Sequence, residues 1–143
     1  MANPQIENEV TNHMEFFGYK IEPLDAPEGT STKMLRAEHP VWGAINISLF
    51  ETTVVFSIWF SLNDFAAANR QSLLEAVNDL NSQHLTSYNV GTWSEGSAAL
   101  FCRLAYRGLY EKTAFGQFVS IWQGEMQAFR RTEIDKFFSW SVP

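Results

Sequence analysis

Between Ile45 and Tyr106 the apolar residues fall twice into strict alternation, and this period of two restricts the fold more than any other feature. Ile45, Ile47 and Leu49 alternate with Asn46, Ser48 and Phe50. Val54, Phe56, Ile58 and Phe60 then alternate with Val55, Ser57, Trp59 and Ser61. Successive side chains of a strand point to opposite faces, so each run carries one core row and one outward row. If Leu49 pairs with Val54, both core rows share a face and Phe50–Thr53 becomes a short hairpin loop of a common length. The second case runs Thr86–Trp93, then Ser94-Glu95-Gly96, then Ser97–Tyr106. A three-residue loop ending in Gly pairs Trp93 with Ser97, Val90 with Leu100 and Tyr88 with Cys102. That register puts Leu100, Cys102 and Leu104 on the face of Val90; a loop one residue shorter turns Val90 away.

Helical spacing brackets these strands. Ile6, Val10, Met14 and Phe17 recur every three or four residues, predicting a helix over 4–17 with Asn3 as its cap and Gly18 just past its end. Pro23–Ser31, with two prolines, a glycine and acidic side chains, reads as a loop. Met34–Ala37 is a short strand candidate. Leu73, Leu74, Val77 and Leu80 stripe a second helix between Asp64 and Gln83. Phe115, Phe118, Val119, Trp122, Met126 and Phe129 stripe a third from Thr113, its expected cap, to Lys136. The predicted fold is therefore α+β in the order α-β-β-β-α-β-β-α, with a largely antiparallel five-stranded sheet and helices on one face.

Composition bounds the function. Ten Lys and Arg against 16 Asp and Glu give a net charge of −6. Nucleic-acid binding by phosphate neutralisation needs a basic excess, so it is excluded. Aromatics at 15% exclude a disordered chain. A chain of 143 residues reads as one domain, 1–143. The most apolar run, Val54–Leu62, is far short of the roughly 20 residues of a membrane helix. The N-terminus shows no signal-peptide pattern, and a lone cysteine fits a reducing compartment; a cytoplasmic location is expected, with no membrane partner.

No catalytic signature emerges. Cys102 alternates with Leu100 and Leu104 and reads as a core thiol; as a nucleophile it needs a base, for which His84 is the candidate. His13, His39 and His84 stand singly, without metal-ligand spacing, so no metal or cofactor is expected. Phe101, Arg103 and Arg107 share the face opposite Cys102, either as a protein-contact patch or as a solvated face with nearby carboxylates. Trp59 falls on the outward row between Ser57 and Ser61, and Phe50 has the same parity. Either a partner covers these aromatics or the face assignment of that strand is inverted.

The order of elements, together with Leu73-Leu74-Glu75-Ala76-Val77-Asn78-Asp79-Leu80-Asn81 and the Leu109-Tyr110-Glu111 approach to a long last helix, resembles the YbjN family, whose members share the fold of type III secretion chaperones. Asn78 and Asn81 are similar to that family's Asn-x-x-Asn signature. Their local explanation is structural: amides near a helix end bond exposed carbonyls or the following strand. The resemblance implies a non-enzymatic protein, a homodimer, acting in regulation or polypeptide holding. Its rivals are a secretion chaperone proper that holds an effector segment, and a small ligand-binding domain or enzyme with a pocket between the last helix and the sheet.

Overall fold

Helix α1 (Pro4–Phe16) forms where Ile6, Val10 and Met14 repeat at four-residue spacing, and all three are buried. It stops at Gly18, which takes φ +92° and lets Gly18 N donate to Glu15 O and Tyr19 N to Met14 O, both at 3.0 Å. Those two bonds satisfy carbonyls that a helix end leaves orphaned. Phe17, expected on the apolar stripe, lies beyond the last turn, partly exposed, with its ring 4.8 Å from that of His13. The computed structural model describes residues 4–25, 32–92 and 96–139, so the Asn3 cap and the Trp93–Ser97 pair lie outside the described residues.

Six strands follow, not five: β1 (Lys20–Leu24), β2 (Lys33–His39), β3 (Gly43–Leu49), β4 (Thr53–Ser61), β5 (Ser87–Thr92) and β6 (Ala98–Arg107). They form one antiparallel sheet in the order β1-β2-β3-β4-β6-β5. The extra strand is β1, which pairs with β2 from Lys20↔Glu38 to Leu24↔Met34. Pro23 made this segment read as loop, but proline is tolerated on a sheet edge, where not every N–H has a partner. Both predicted hairpin registers are present, with Leu49↔Val54 in one and Val90↔Leu100 and Tyr88↔Cys102 in the other.

The second predicted helix is two, α2 (Asp64–Ala68) and α3 (Arg70–Gln83). Asn69 interrupts them: its backbone N–H and its side-chain Nδ2 both donate to Phe65 O, at 2.9 and 3.0 Å. The last helix, α4, spans Lys112–Arg130. Its cap is Glu111, not Thr113, because the Glu111 carboxylate accepts from Thr113 N at 3.0 Å and Ala114 N at 2.7 Å. These backbone bonds lower the Glu111 pKa. It also ends six residues early. The Thr132 hydroxyl donates to Phe129 O at 2.6 Å and accepts from Ile134 N at 3.4 Å, starting a short 3-10 turn over Glu133–Phe137.

The chain divides into two compact units, Met1–Ser57 with Leu104–Ile121 and Ile58–Arg103 with Trp122–Pro143. In the first, Val10 and Met14 of α1, Leu35, Ile45, Ile47, Val54 and Phe56 of the strands, and Phe115 and Phe118 of α4 are buried. Phe56 contacts Phe118 and Phe115 at centroid distances of 4.6 and 6.1 Å. In the second, Leu73, Val77 and Leu80 of α3, Leu100 and Cys102 of β6, and Trp122 and Phe129 of α4 are buried. The aromatic stripe of α4 is therefore core in each unit. Residues 137–139 return to the end of β4: Asn63 N donates to Phe137 O, Asn63 Nδ2 to Lys136 O and Phe138 O, and Ser139 N to Ser61 O, all within 3.0 Å.

Candidate functional site

The residues expected to contact a partner divide between the units. In the second unit, Trp59 stands outward from β4 and is 43% exposed, while its chain neighbour Phe60 turns inward and stacks on Phe138 at 4.6 Å. The face assignment of β4 holds. Phe101, on the outward side of β6, is half-buried. A Cβ on Gly91 of β5 would come within 2.9 Å of the Phe101 ring, so glycine is what allows that ring to lie across the neighbouring strand. The guanidinium of Arg103, exposed, lies 5.9 Å from the Phe101 centroid. A cation–π contact of that kind contributes about 0.5–1 kcal/mol at an exposed site. The structure thus brings Phe101 and Arg103 together. In the first unit, Phe50 is 44% exposed in the β3–β4 loop and Arg107 is exposed at the end of β6.

Asn81 uses its amide in the way open to a residue near a helix end. Its Oδ1 accepts from Tyr88 N at 2.7 Å and its Nδ2 donates to Tyr88 O at 2.9 Å, so one side chain holds both backbone groups of a strand residue. Asn78 is exposed on the same helix.

Cys102 is fully buried opposite Tyr88, and burial pushes its thiol up to about 12. The nucleophile of a thiol enzyme needs the reverse shift. His84 Nδ1 lies 2.6 Å from the Tyr88 hydroxyl, itself raised by burial first and then by the Cys102 and Glu125 charges. Among the described residues, no group of three or more His, Cys, Asp or Glu is placed to hold a metal ion. No helix among them is long and apolar enough to cross a membrane.

Two features escaped the sequence. Glu125 of α4 accepts from Leu85 N and Thr86 N, each at 2.7 Å, and from the Thr86 hydroxyl, clamping the turn between α3 and β5. In the first unit, His13 Nδ1 lies 2.6 Å from the Tyr110 hydroxyl, beside a groove of about 300 Å3 lined by Glu9, Asn12, Phe16 and Lys112 as well. Burial and then the Lys112 charge lower the His13 pKa; burial and then Glu9 raise that of Tyr110. Neither contact is local: the partners stand 39 to 40 and 97 positions apart.

These elements define a YbjN-like α+β fold. A crystal structure of YbjN from E. coli, described as a candidate transcription regulator, is similar to the chain at a TM-score of 0.63 and 16% identity, over 92% of this chain and 94% of that one. An uncharacterised protein from Methanothermobacter thermautotrophicus is similar at a TM-score of 0.63 and 10% identity, over 93% of this chain and 99% of that one. At such identities the likeness is one of fold. No family model and no curated protein matches the chain.

Proposed function

We propose that the chain is a non-enzymatic, cytoplasmic protein-binding domain of the YbjN type, a regulator or chaperone-like factor that acts through protein–protein contacts and as a homodimer. The observation that carries this is the outward Trp59, with Phe101 and its stacked Arg103 in the same unit. Trp, Tyr and Arg are enriched among the few residues that carry most of the binding energy of protein interfaces. A net charge of −6 disfavours direct contact with phosphate, so regulation would pass through a protein partner. The buried, protonated Cys102 supports a role without chemistry.

Two measurements test this. Wild-type protein should sediment as a dimer at micromolar concentration. It should also slow the aggregation of a thermally unfolded model enzyme, and Trp59→Ser with Phe101→Ser should weaken that holding activity while leaving the far-UV spectrum unchanged. A chain that is strictly monomeric and holds no unfolded polypeptide refutes the proposal.

A further inference from the structure

The groove beside His13 and Tyr110 lies wholly in the first unit and takes no part in the function proposed above. Helix α1 supplies one wall. Glu9, Asn12, His13 and Phe16 are spaced by three and four residues and so share a helical face. The link from β6 to α4 supplies the other wall, with Tyr110 and Lys112. Hydrogen bonds hold that link in place. Gly108 N donates to Thr52 O at 3.0 Å, the Tyr106 hydroxyl to Leu109 O at 2.9 Å, and Glu111 N to the Tyr106 hydroxyl at 3.1 Å. The 2.6 Å contact between Tyr110 and His13 ties the link to α1. A wall fixed before a guest arrives spares the guest the cost of ordering it.

Two opposite charges border this groove. Among the described residues Glu9 and Lys112 form no ion pair, with each other or with a third group, whereas Glu7 on the same helix has Lys33 at 3.0 Å. The Gln5 amide, 3.4 Å from the Glu9 carboxylate, brings no charge. Glu111, next to Lys112 in the chain, is engaged with the N–H groups of Thr113 and Ala114. Both charges reach the His13–Tyr110 contact. After burial, Lys112 is the cause that lowers the His13 pKa, and Glu9 is the next cause that raises that of Tyr110. Phe16, the last residue of α1, completes the lining and is 83% exposed, an apolar ring left in water.

We propose that this groove binds a free α-amino acid with an apolar side chain, its ammonium at Glu9, its carboxylate at Lys112 and its side chain against Phe16. A lone anion would meet the Glu9 carboxylate, and a lone cation the Lys112 ammonium. A zwitterion gives each of them a partner of opposite charge. The volume of about 300 Å3 is at the small end of ligand sites, which run from about 300 to 1,000 Å3, and suits one amino acid better than a longer chain. Asn12, with a donor and an acceptor in one amide, can serve either head group. The proposal goes beyond the protein contacts at Trp59, which belong to the other unit, and does not depend on them.

Titration of phenylalanine into the isotope-labelled full chain, followed by heteronuclear NMR, tests it. Binding should saturate in the millimolar range, with amide shifts gathered at Glu9, Asn12, Phe16, Tyr110 and Lys112. N-acetylphenylalanine lacks the ammonium and phenylalaninamide lacks the carboxylate. Each should bind about fivefold more weakly, the upper range for one exposed ion pair. Glu9→Gln should weaken phenylalanine about fivefold without weakening N-acetylphenylalanine, and Lys112→Gln should weaken phenylalanine without weakening phenylalaninamide. Absence of saturation, or shifts gathered elsewhere, overturns the site. Equal binding of the three compounds to the wild type overturns the zwitterion, whether or not the variants fold. Tighter binding of the dipeptide phenylalanylphenylalanine overturns the single amino acid as the ligand.

Discussion

Replacing Glu125 by Ala removes three acceptor contacts at once, and the geometry sets their worth. The bond to Leu85 N at 2.7 Å is exposed and contributes about 0.5 kcal/mol, the low end for a net hydrogen bond. The bonds to Thr86 N and to the Thr86 hydroxyl are partly buried and charge-assisted, and Thr86 itself is 1% exposed, so each contributes about 1–1.5 kcal/mol. The expected loss is about 2–4 kcal/mol, which for a chain of this size lowers Tm by roughly 6–14 °C. Urea titration gives the free energy and differential scanning calorimetry the midpoint. Thr86→Val, alone and combined with Glu125→Ala, closes a double-mutant cycle with an expected coupling of about 1 kcal/mol. A loss below about 0.5 kcal/mol, or a cycle that closes to zero, would refute the clamp, because water would then serve Thr86 as well as the carboxylate does.

His13 supplies a pH dependence of fixed sign. Its pKa is lowered from 6.5 in the folded chain, chiefly by burial, so the folded state binds fewer protons than the unfolded state below that value. The stability it contributes is fully present above pH 6.5 and is lost as pH falls from there towards the depressed folded value; His13→Gln should flatten that part of a urea-midpoint profile, and an unchanged slope would contradict the assignment. Cys102, at about 12, should not react with a disulfide reagent in native protein at mildly alkaline pH and should react at once in denaturant. Rapid native labelling would show that the strand face opens. Phe129→Ala removes a ring that stacks within 5.3–5.9 Å of Phe60, Tyr88 and Phe138, and should cost about 3–5 kcal/mol in the same titration. A loss near 1 kcal/mol would mean that the cavity collapses.

What could be read from the sequence follows the range of the interactions. Leu49↔Val54 and Tyr88↔Cys102 were legible because loop length and side-chain parity are local and must agree. The outward placement of Trp59 follows from the same parity, and the bond from Asn81 to the next strand follows from the chemistry of a helix end. Strand β1 was hidden because Pro23 and acidic neighbours look alike in a loop and on an edge. Thr113 suits a cap by residue type, but Glu111 reaches two helix N–H groups with one carboxylate. The Glu125 clamp and the His13–Tyr110 pair left no trace in the sequence, since nothing in a linear pattern places partners so distant in the chain together.

The return of residues 137–139 to the end of β4 bears on how the chain is made. Asn63 donates to carbonyls 73 and 75 positions later, and Ser61 accepts from Ser139. A ribosome delivers the start of α2 long before the backbone that satisfies it. The second unit, drawn from Ile58–Arg103 and Trp122–Pro143, therefore completes its hydrogen bonding only after residues 136–139 have been made. Contacts so far apart in sequence slow folding, because loop closure must precede the stabilisation they give. Until then Phe60 lacks the ring of Phe138 on which it stacks, and the nascent chain shows its apolar strands to whatever waits at the exit.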